Sequence, residues 1–482
     1  MIRFGTVINN IGKLILLVDF TLFLPLLVSL FSGKTNTLDF LYTIIITSIV
    51  GGLCVVFAKP QGNIRAKESY LIVTVGWILV SILGSLPYAF AGVFPDYSSA
   101  FFETMSGFTT TGSTAFTDVE VLSQEILLWR SMTQWLGGLG VVVLFVAILS
   151  QVSTGGQSML RAELSGPYQE KLTSHIKDSA MILWKIYSIL TIILILLLLL
   201  GGMSLFDAVC HSFSTMATGG FSTRNASVAA FNSPYIEWVI TIFMFLAGVS
   251  YPLYYKAVVN RSLKQIFKNE EFRLYVCITV LASLFIFINL VLYWDGTTSE
   301  KLRHAFFNLL SMLTTTGFAS DNFDVWPAAS HVLLMCIMMI GACYSSTSGS
   351  IKMGTYLLSY KTLRVQMFRL LHPRALVEIK VNNKVVPERT ALKVNQFFIL
   401  FFVVMFLGAI SLSMTGLTFA EAFTGSMTAI TNSGPAMGRL GASGNFSEVT
   451  AAGKWIMSFL MLGGRLELYT VLVIFTRDFW RQ

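Results

Sequence analysis

Four short segments rich in threonine, serine and glycine have the composition of loops that could bind a dehydrated cation. Their sequences are FTTTGST (residues 108–114), TMATGGFST (215–223), LTTTGFAS (313–320) and AITNSGPAM (429–437). A cation gives up its hydration shell only where other oxygens replace it, and backbone carbonyls can do so where the residues permit close approach. We therefore interpret the four segments as the filter loops of a cation-conducting pore.

The four loops align on a glycine that follows a residue with a side-chain hydroxyl. The aligned glycines are Gly112, Gly219, Gly317 and Gly434, at roughly equal intervals along the chain. This recurrence predicts a fourfold internal repeat. The candidate residues, whose carbonyls would bind the ion, are Thr110, Thr111, Gly112, Ala217, Thr218, Gly219, Thr315, Thr316, Gly317, Asn432, Ser433 and Gly434.

The composition excludes a soluble globular protein. Hydrophobic residues make up 54% of the chain and charged residues only 12%, and the mean hydropathy is +0.70. A soluble domain carries about 25% charged residues. The five cysteines are scattered singly among apolar segments, without a C-x-x-C pair or a histidine cluster, so neither a metal site nor a cofactor is expected. The sequence predicts a polytopic membrane protein.

The apolar segments predict how the loops are held. Segments 14–31 and 41–57 predict an N-terminal two-helix hairpin, and each repeat then has the order long helix, short helix, filter loop, long helix. The first helices are predicted at 70–91, 180–203, 272–294 and 396–414, and the closing helices at 128–150, 236–258, 331–360 and 455–475. The short helices, such as 98–108 and 206–216, are predicted to be re-entrant pore helices.

The predicted fold class is therefore an all-α polytopic membrane protein, in which a two-helix hairpin precedes a fourfold, potassium-channel-like pseudo-repeat of helix, pore helix, filter loop and helix. The predicted units are the hairpin at 1–66 and the repeats at 67–152, 153–262, 263–372 and 373–482. Together they give ten spans and four half-spans.

The distribution of lysine and arginine predicts the orientation. Most of these residues fall in connections on the same side as the N-terminus, including the basic loops 256–273 and 361–393. The positive-inside rule then places both termini in the cytoplasm of a multi-pass protein of the cell (inner) membrane, and the filter loops at the outer side. This also explains the net charge of +8 without nucleic acid. Acidic residues such as Glu103 and Asp118 would lie near the outer mouth, where they would attract cations.

The third closing helix contains an unusual polar stretch, GACYSSTSGS, at residues 341–350. A helix is not expected to persist through it, so we predict a loop inside the membrane that faces the ion path. The alternative is a kinked helix whose serines bond back to the preceding turn. The candidate gate residues here are Gly341, Tyr344, Ser345, Ser346, Ser348, Gly349 and the following Lys352.

Arg465 is predicted to lie in the middle of the last helix, within MLGGRLELYTV. An arginine at the centre of a span costs about 3 kcal/mol on insertion scales. It should therefore face the pore or a protein partner and not lipid, and the sequence alone does not identify that partner. Arg465 completes the set of candidate gate residues.

The four loops, the broken third closing helix and the ending GGRLELYTVLVIF together resemble the membrane subunit of Trk-type potassium-uptake systems, in the Trk/Ktr/HKT superfamily. The resemblance covers essentially the whole chain. It implies a potassium-selective filter at the four loops, an intramembrane gating loop at 341–352 and a pore-facing arginine at Arg465. It also implies a homodimer bound to a cytosolic nucleotide-binding regulatory subunit. Tyr344 and the serines make this gating loop bulkier and less glycine-rich than is usual in the family.

The sequence argues against two other classes of function. A proton- or sodium-coupled secondary potassium symporter would carry titratable residues near the middle of several helices, whereas the deep charges here are few, chiefly Asp19, Lys185, Lys352 and Arg465. An ATPase or other membrane enzyme is not expected, because the chain has neither G-x-x-x-x-G-K-[ST] nor H-E-x-x-H. Any control by a nucleotide must therefore come from a partner, for which loops 256–273 and 361–393 are the predicted docking surface.

Overall fold

The computed structural model describes residues 2–32, 36–62, 64–140, 143, 176–441 and 444–481. Within these ranges the chain is almost entirely α-helical, and the described strands form a short antiparallel hairpin, Lys380–Val381 with Lys384–Val385. The prediction of an essentially all-α protein with many apolar helices is confirmed.

The N-terminal helices pack closely through small residues. Helices Phe4–Thr21 and Phe23–Ser32 form one apolar stretch, which lies against helix Thr37–Phe57. A side chain added at Gly12 would come within 2.8 Å of the Gly51 carbonyl oxygen, so glycine lets the backbones approach. Buried Asp19 is satisfied at this interface by the hydroxyls of Thr47 and Ser48.

In the described part of the chain, six helices are long and apolar enough to cross a membrane, and two bent helix pairs raise the number to as many as eight. Four of the six are the predicted first helices, observed at Ala66–Phe90, Asp178–Leu200, Glu270–Tyr293 and Glu388–Ser413. Large apolar side chains such as Leu200, Leu281 and Ile399 are exposed on their outer faces. Such faces suit contact with lipid.

Four shorter helices carry the filter loops: Tyr97–Phe108, Leu205–Met216, Thr298–Leu313 and Phe419–Thr431. At 12 to 16 residues and 1.5 Å per residue they are too short for a hydrocarbon core of about 30 Å. Each begins at an N-cap residue whose side chain accepts a hydrogen bond from the backbone N–H three residues later in the chain. These N-cap residues are Asp96, Ser204, Thr297 and Thr418. These caps fix where each short helix starts. We call these elements the pore helices.

The second and fourth closing helices are not continuous, so the prediction of one unbroken helix at 236–258 and at 455–475 was wrong. The second consists of Pro234–Ala247 and Tyr251–Val259, bent by 87°, and the fourth of Ala451–Arg465 and Tyr469–Phe475, bent by 110°. Pro252 cannot donate to the preceding turn, and Gly464 packs so tightly on the Ile430 carbonyl that a side chain there would overlap it. The first closing helix is described as Gln124–Gly138. Residues 141–142 and 144–150 of its predicted range, and the predicted unit boundary at 152, lie outside the described residues.

Candidate ion filter and gate

Each pore helix ends in a turn with the same backbone geometry. One residue in each turn has a positive φ: Thr110 (55°), Thr218 (52°), Thr315 (57°) and Asn432 (56°). The N–H of the next residue donates to the helix carbonyl five residues back; these bonds are Thr111 to Ser106 (2.8 Å), Gly219 to Ser214 (2.9 Å), Thr316 to Ser311 (2.7 Å) and Ser433 to Thr428 (3.1 Å). This is the Schellman type of helix ending. Two residues after the positive-φ residue, every turn has a glycine.

The structure corrects the alignment of the second loop by one residue. The glycines with positive φ are Gly112 (85°), Gly220 (81°), Gly317 (83°) and Gly434 (93°). Gly220, and not Gly219, therefore corresponds to Gly112, and Gly219 takes the position of Thr111. Ala217 then corresponds to Thr109, one residue before the turn. The error arose because ATGGFST contains two adjacent glycines and the sequence does not say which one adopts the left-handed conformation.

The four turns contact one another in cyclic order. A side chain at Gly112 would overlap the Gly219 carbonyl oxygen, and one at Gly220 would overlap that of Thr316. At Gly317 the added carbon would lie 2.5 Å from the Ser433 carbonyl oxygen, and at Gly434 it would lie 2.9 Å from that of Thr111. The fourth turn thus returns to the first. Only glycine fits at these four positions, because each faces the carbonyl of the neighbouring turn.

Polar contacts join the fourth and first turns. The Asn432 side-chain amide donates to the Thr111 hydroxyl at 2.9 Å, and the Ser113 hydroxyl donates to the Gly434 carbonyl at 2.9 Å. Because all four pore helices end at these turns, the negative ends of their dipoles converge there, which favours a cation. A cavity of about 120 Å³ on one side of the turns is lined in part by all four positive-φ glycines.

Glu103, predicted to lie near the outer mouth, is fully buried and paired with Arg130 at 2.8 Å; its carboxylate also accepts a bond from the hydroxyl of Thr114, a residue that lines the cavity of about 120 Å³. Arg130 also donates to the Ser222 carbonyl at 3.0 Å and lies 4.0 Å from the centre of the Phe221 ring. It thereby ties the first closing helix to the chain after the second turn. Sequence reasoning missed Arg130, although an arginine inside an apolar segment was the same signal that identified Arg465.

Asp118 lies in the loop that follows the first turn. Hydrogen bonds from the Asn225 side-chain amide, followed by the Glu120 N–H, lower the pKa of its carboxyl. Because Asn225 follows the second turn, Asp118 links the loops that follow the first two turns.

The third closing helix is broken where predicted. Helix Ala328–Ile340 ends at Gly341, whose φ is +74°, and helix Met353–Leu371 begins after Lys352. Residues 341–352 are not helical, so the loop interpretation is right and the kinked-helix alternative is wrong. We call this segment the 341–352 loop.

The 341–352 loop lies directly against the filter turns. The Gly349 N–H donates to the Thr315 hydroxyl at 2.8 Å, and a side chain at Gly349 would overlap the Thr431 carbonyl. On its other side the Tyr344 N–H donates to the half-buried side chain of Glu271 at 2.7 Å. Of the remaining candidates, the Ser345 carbonyl accepts a bond from the Tyr251 N–H, and Ser346 and Ser348 bond within the loop.

Arg465 is the last residue of helix Ala451–Arg465, at the bend before helix Tyr469–Phe475, and does not lie within one continuous helix as predicted. The chain bends sharply after it because the helix ends there. Its guanidinium donates to the Thr110 hydroxyl (3.1 Å), to the Thr347 carbonyl (2.9 Å) and to the carbonyls of Gly137 (2.6 Å) and Gly138. Three of these four acceptors, which the sequence alone could not identify, are backbone carbonyl oxygens. Arg465 joins the first turn, the 341–352 loop and the first closing helix.

Lys352 is buried beside Arg465, with its Nζ 3.5 Å from the Ser346 carbonyl oxygen. Between the 341–352 loop and Arg465 there is a cavity of only about 30 Å³, lined by residues that include Gly138, Gly349, Lys352 and Arg465. Two cationic side chains and the 341–352 loop therefore line this small cavity.

These features define a mostly helical, multi-pass membrane protein. The family model of TrkH, described as a cation transport protein, matches residues 33–481. The chain belongs to the TrkH family, which is a family of transporters and not of enzymes, and the resemblance found in the sequence is confirmed.

Relatives and a solved structure match over the full length. The chain is 37% identical over 490 residues to the Trk system potassium uptake protein TrkH of Salmonella typhimurium, covering 100% of both chains. It is 33% identical to TrkG of Escherichia coli K12, covering 98% of this chain and 97% of that one. The crystal structure of the potassium transporter TrkH from Vibrio parahaemolyticus superposes with a TM-score of 0.91 at 33% identity, covering 100% of both chains.

Proposed function

We propose that this protein is the potassium-conducting membrane subunit of an uptake system, with its pore along the axis of the four filter turns. The observation that carries the proposal is the cyclic set of glycine-to-carbonyl contacts, which closes from Gly434 back to Thr111. The four units 67–152, 153–262, 263–372 and 373–482 then form a fourfold pseudo-repeat after the hairpin 1–66. Relatives that match over the full chain are named potassium uptake proteins.

In this proposal, carbonyl oxygens of the turns replace the water around K⁺. With the corrected alignment, the ion-binding set is Thr110, Thr111, Gly112, Thr218, Gly219, Gly220, Thr315, Thr316, Gly317, Asn432, Ser433 and Gly434. Ala217 leaves the set, because it precedes the turn. The absence of side chains at the four glycines allows the carbonyls to converge, and the pore-helix dipoles stabilise the positive charge.

The 341–352 loop is the proposed gate. Its contact with Thr315 and its bond from Arg465 hold it against the turns, and the charges of Lys352 and Arg465 oppose a cation on that path. Conduction then requires the loop to move. A loop held by a few polar contacts can be displaced by a modest change in free energy.

Regulation is proposed to come from a cytosolic nucleotide-binding subunit, bound to a homodimer of this chain in the inner membrane. A cavity of about 640 Å³ supports this, because its lining joins basic residues of the predicted docking loops to the proposed gate. The basic residues are Lys256, Lys268, Arg273 and Lys384, and the gate residues are Tyr344 and Ser345. A partner on this surface could act on the 341–352 loop directly. Both termini would be cytoplasmic.

The test is potassium flux into liposomes that contain the purified protein, compared with empty liposomes. We expect K⁺ to move down its own electrochemical gradient when proton and sodium gradients are absent. Flux that requires either gradient, and that saturates and moves the second ion in proportion, would support the coupled symporter instead.

A further inference from the structure

Three of the four filter turns share a buried pair of hydroxyl groups behind the backbone. The paired oxygens are those of Thr109 and Thr111 (2.8 Å), Thr314 and Thr316 (2.8 Å), and Thr431 and Ser433 (3.0 Å). All six side chains are fully buried. In the second turn the corresponding residues are Ala217 and Gly219, which have no hydroxyl. The second turn therefore lacks the internal bond that stabilises the other three.

The side chain of Gln134 occupies the space behind the second turn. Gln134 is fully buried on helix Gln124–Gly138. Its Nε2 donates to the Gly219 carbonyl at 2.6 Å, and its Oε1 accepts from the Phe221 N–H at 3.0 Å. A side chain at Gly219 would overlap the Gln134 carboxamide, so the carboxamide lies where the missing threonine side chain would be.

Both bonds fix the orientation of this carboxamide. Exchanging its nitrogen and oxygen would set an oxygen against the Gly219 carbonyl and an N–H against the Phe221 N–H, and both contacts would be repulsive. Gln134 thus bridges two backbone groups on either side of Gly220. The Gly219 carbonyl is the one that faces Gly112 of the first turn, so its direction depends on this bridge.

We propose that Gln134 is a positioning residue for ion selectivity, which holds the second filter turn in place of the hydroxyl pair found in the other three. The inference rests on the proposed potassium filter. In the other three turns, residues of the loop itself hold the backbone in place; in the second turn, a residue of the first closing helix does so. A carbonyl oxygen has two lone pairs, so the bond from Gln134 does not by itself prevent the Gly219 carbonyl from binding an ion.

The test compares K⁺/Na⁺ permeability ratios of variants in liposomes. Gln134→Leu keeps a similar volume but removes both bonds, and leaves two buried backbone groups without their partner. We expect its permeability ratio to fall by about tenfold, since an unsatisfied buried group is relieved by rotation of the peptide. Ser131→Ala is the matched control, because Ser131 is buried on the same helix and donates to the Leu127 carbonyl within that helix. Its ratio should equal that of the wild type.

A triple variant separates positioning from packing. Gln134→Ala combined with Ala217→Thr and Gly219→Thr removes the carboxamide and restores a hydroxyl pair, so selectivity should return to near the wild-type ratio. Gly219→Thr alone should be as damaging as Gln134→Leu, because the two side chains compete for one space.

An unchanged ratio in a folded Gln134→Leu protein would overturn the inference. If that variant does not fold, the triple variant decides, and its failure to fold or to select K⁺ would also refute the inference. A wild-type protein that does not prefer K⁺ would instead refute the proposed function, whatever the variants do.

Discussion

The substitution Gly112→Ser tests whether the glycines of the turns set selectivity. Gly112 has a φ of +85°, and its added carbon would overlap the carbonyl oxygen of Gly219. Two costs follow. A residue with a side chain in left-handed backbone costs about 1–2 kcal/mol, and the Gly219 carbonyl must move by on the order of 1 Å to reach an ordinary contact distance.

Gly202 separates the two costs. Its φ is +87°, almost the same as that of Gly112, but a side chain there would meet no atom within 4 Å. Gly202→Ser therefore carries the backbone cost without the displaced carbonyl. Gly112→Ser should lose more stability than Gly202→Ser, because it also displaces a carbonyl, and only Gly112→Ser should lose selectivity.

The expected loss of K⁺/Na⁺ selectivity in Gly112→Ser comes from displacement of one carbonyl, that of Gly219. A displaced carbonyl that weakens K⁺ binding by about 1.4 kcal/mol more than it weakens Na⁺ binding lowers the K⁺/Na⁺ permeability ratio about tenfold, and we expect a fall of this order. The assay is the reversal potential of the purified variants in liposomes. If Gly112→Ser keeps the wild-type ratio, or if Gly202→Ser loses it equally, the reasoning from steric overlap is wrong.

The remaining predictions concern the gate and the regulator. Arg465→Ala should raise basal K⁺ flux without loss of expression, because it removes the bonds to Thr110 and Thr347, and Arg465→Lys should rescue it only partly; failure of Arg465→Ala to insert would make the residue structural. Deleting residues 344–348 should raise basal flux and weaken dependence on the regulator, whereas a changed K⁺/Na⁺ ratio would mean that the 341–352 loop acts on the filter through Thr315. Neutralising the basic residues of 256–273 and 361–393 should reduce capture of the cytosolic subunit in a pull-down, and undiminished capture would exclude this surface.

Sequence reasoning succeeded where local chemistry decides the structure. The short pore helices were predicted from the length of their apolar segments, and the break at Gly341 from its serine- and glycine-rich sequence. Predictions from the sequence failed where contacts between distant segments determine the structure. The acceptors of Arg465 come from three other parts of the chain, and Glu103 is buried because Arg130 reaches it from the next helix.

The second turn shows the same limit within a single motif. Local sequence cannot choose between Gly219 and Gly220, because either glycine permits a positive φ. The choice depends on the neighbouring turn and on Gln134, which contacts Gly219 from the preceding closing helix. The position of the neighbouring turn and that of Gln134 are known only from the packed structure.

The central claim is that the four turns form a potassium-selective path, and the reversal potential of the wild-type protein under bi-ionic conditions tests it most directly. Purified protein in liposomes, with K⁺ on one side and Na⁺ on the other, should give a reversal potential displaced toward that of K⁺, with a preference of at least several-fold. Adding a candidate regulatory subunit should change the size of the current and leave that potential unchanged. A reversal potential near zero, which means equal permeability to K⁺ and Na⁺, would contradict the account.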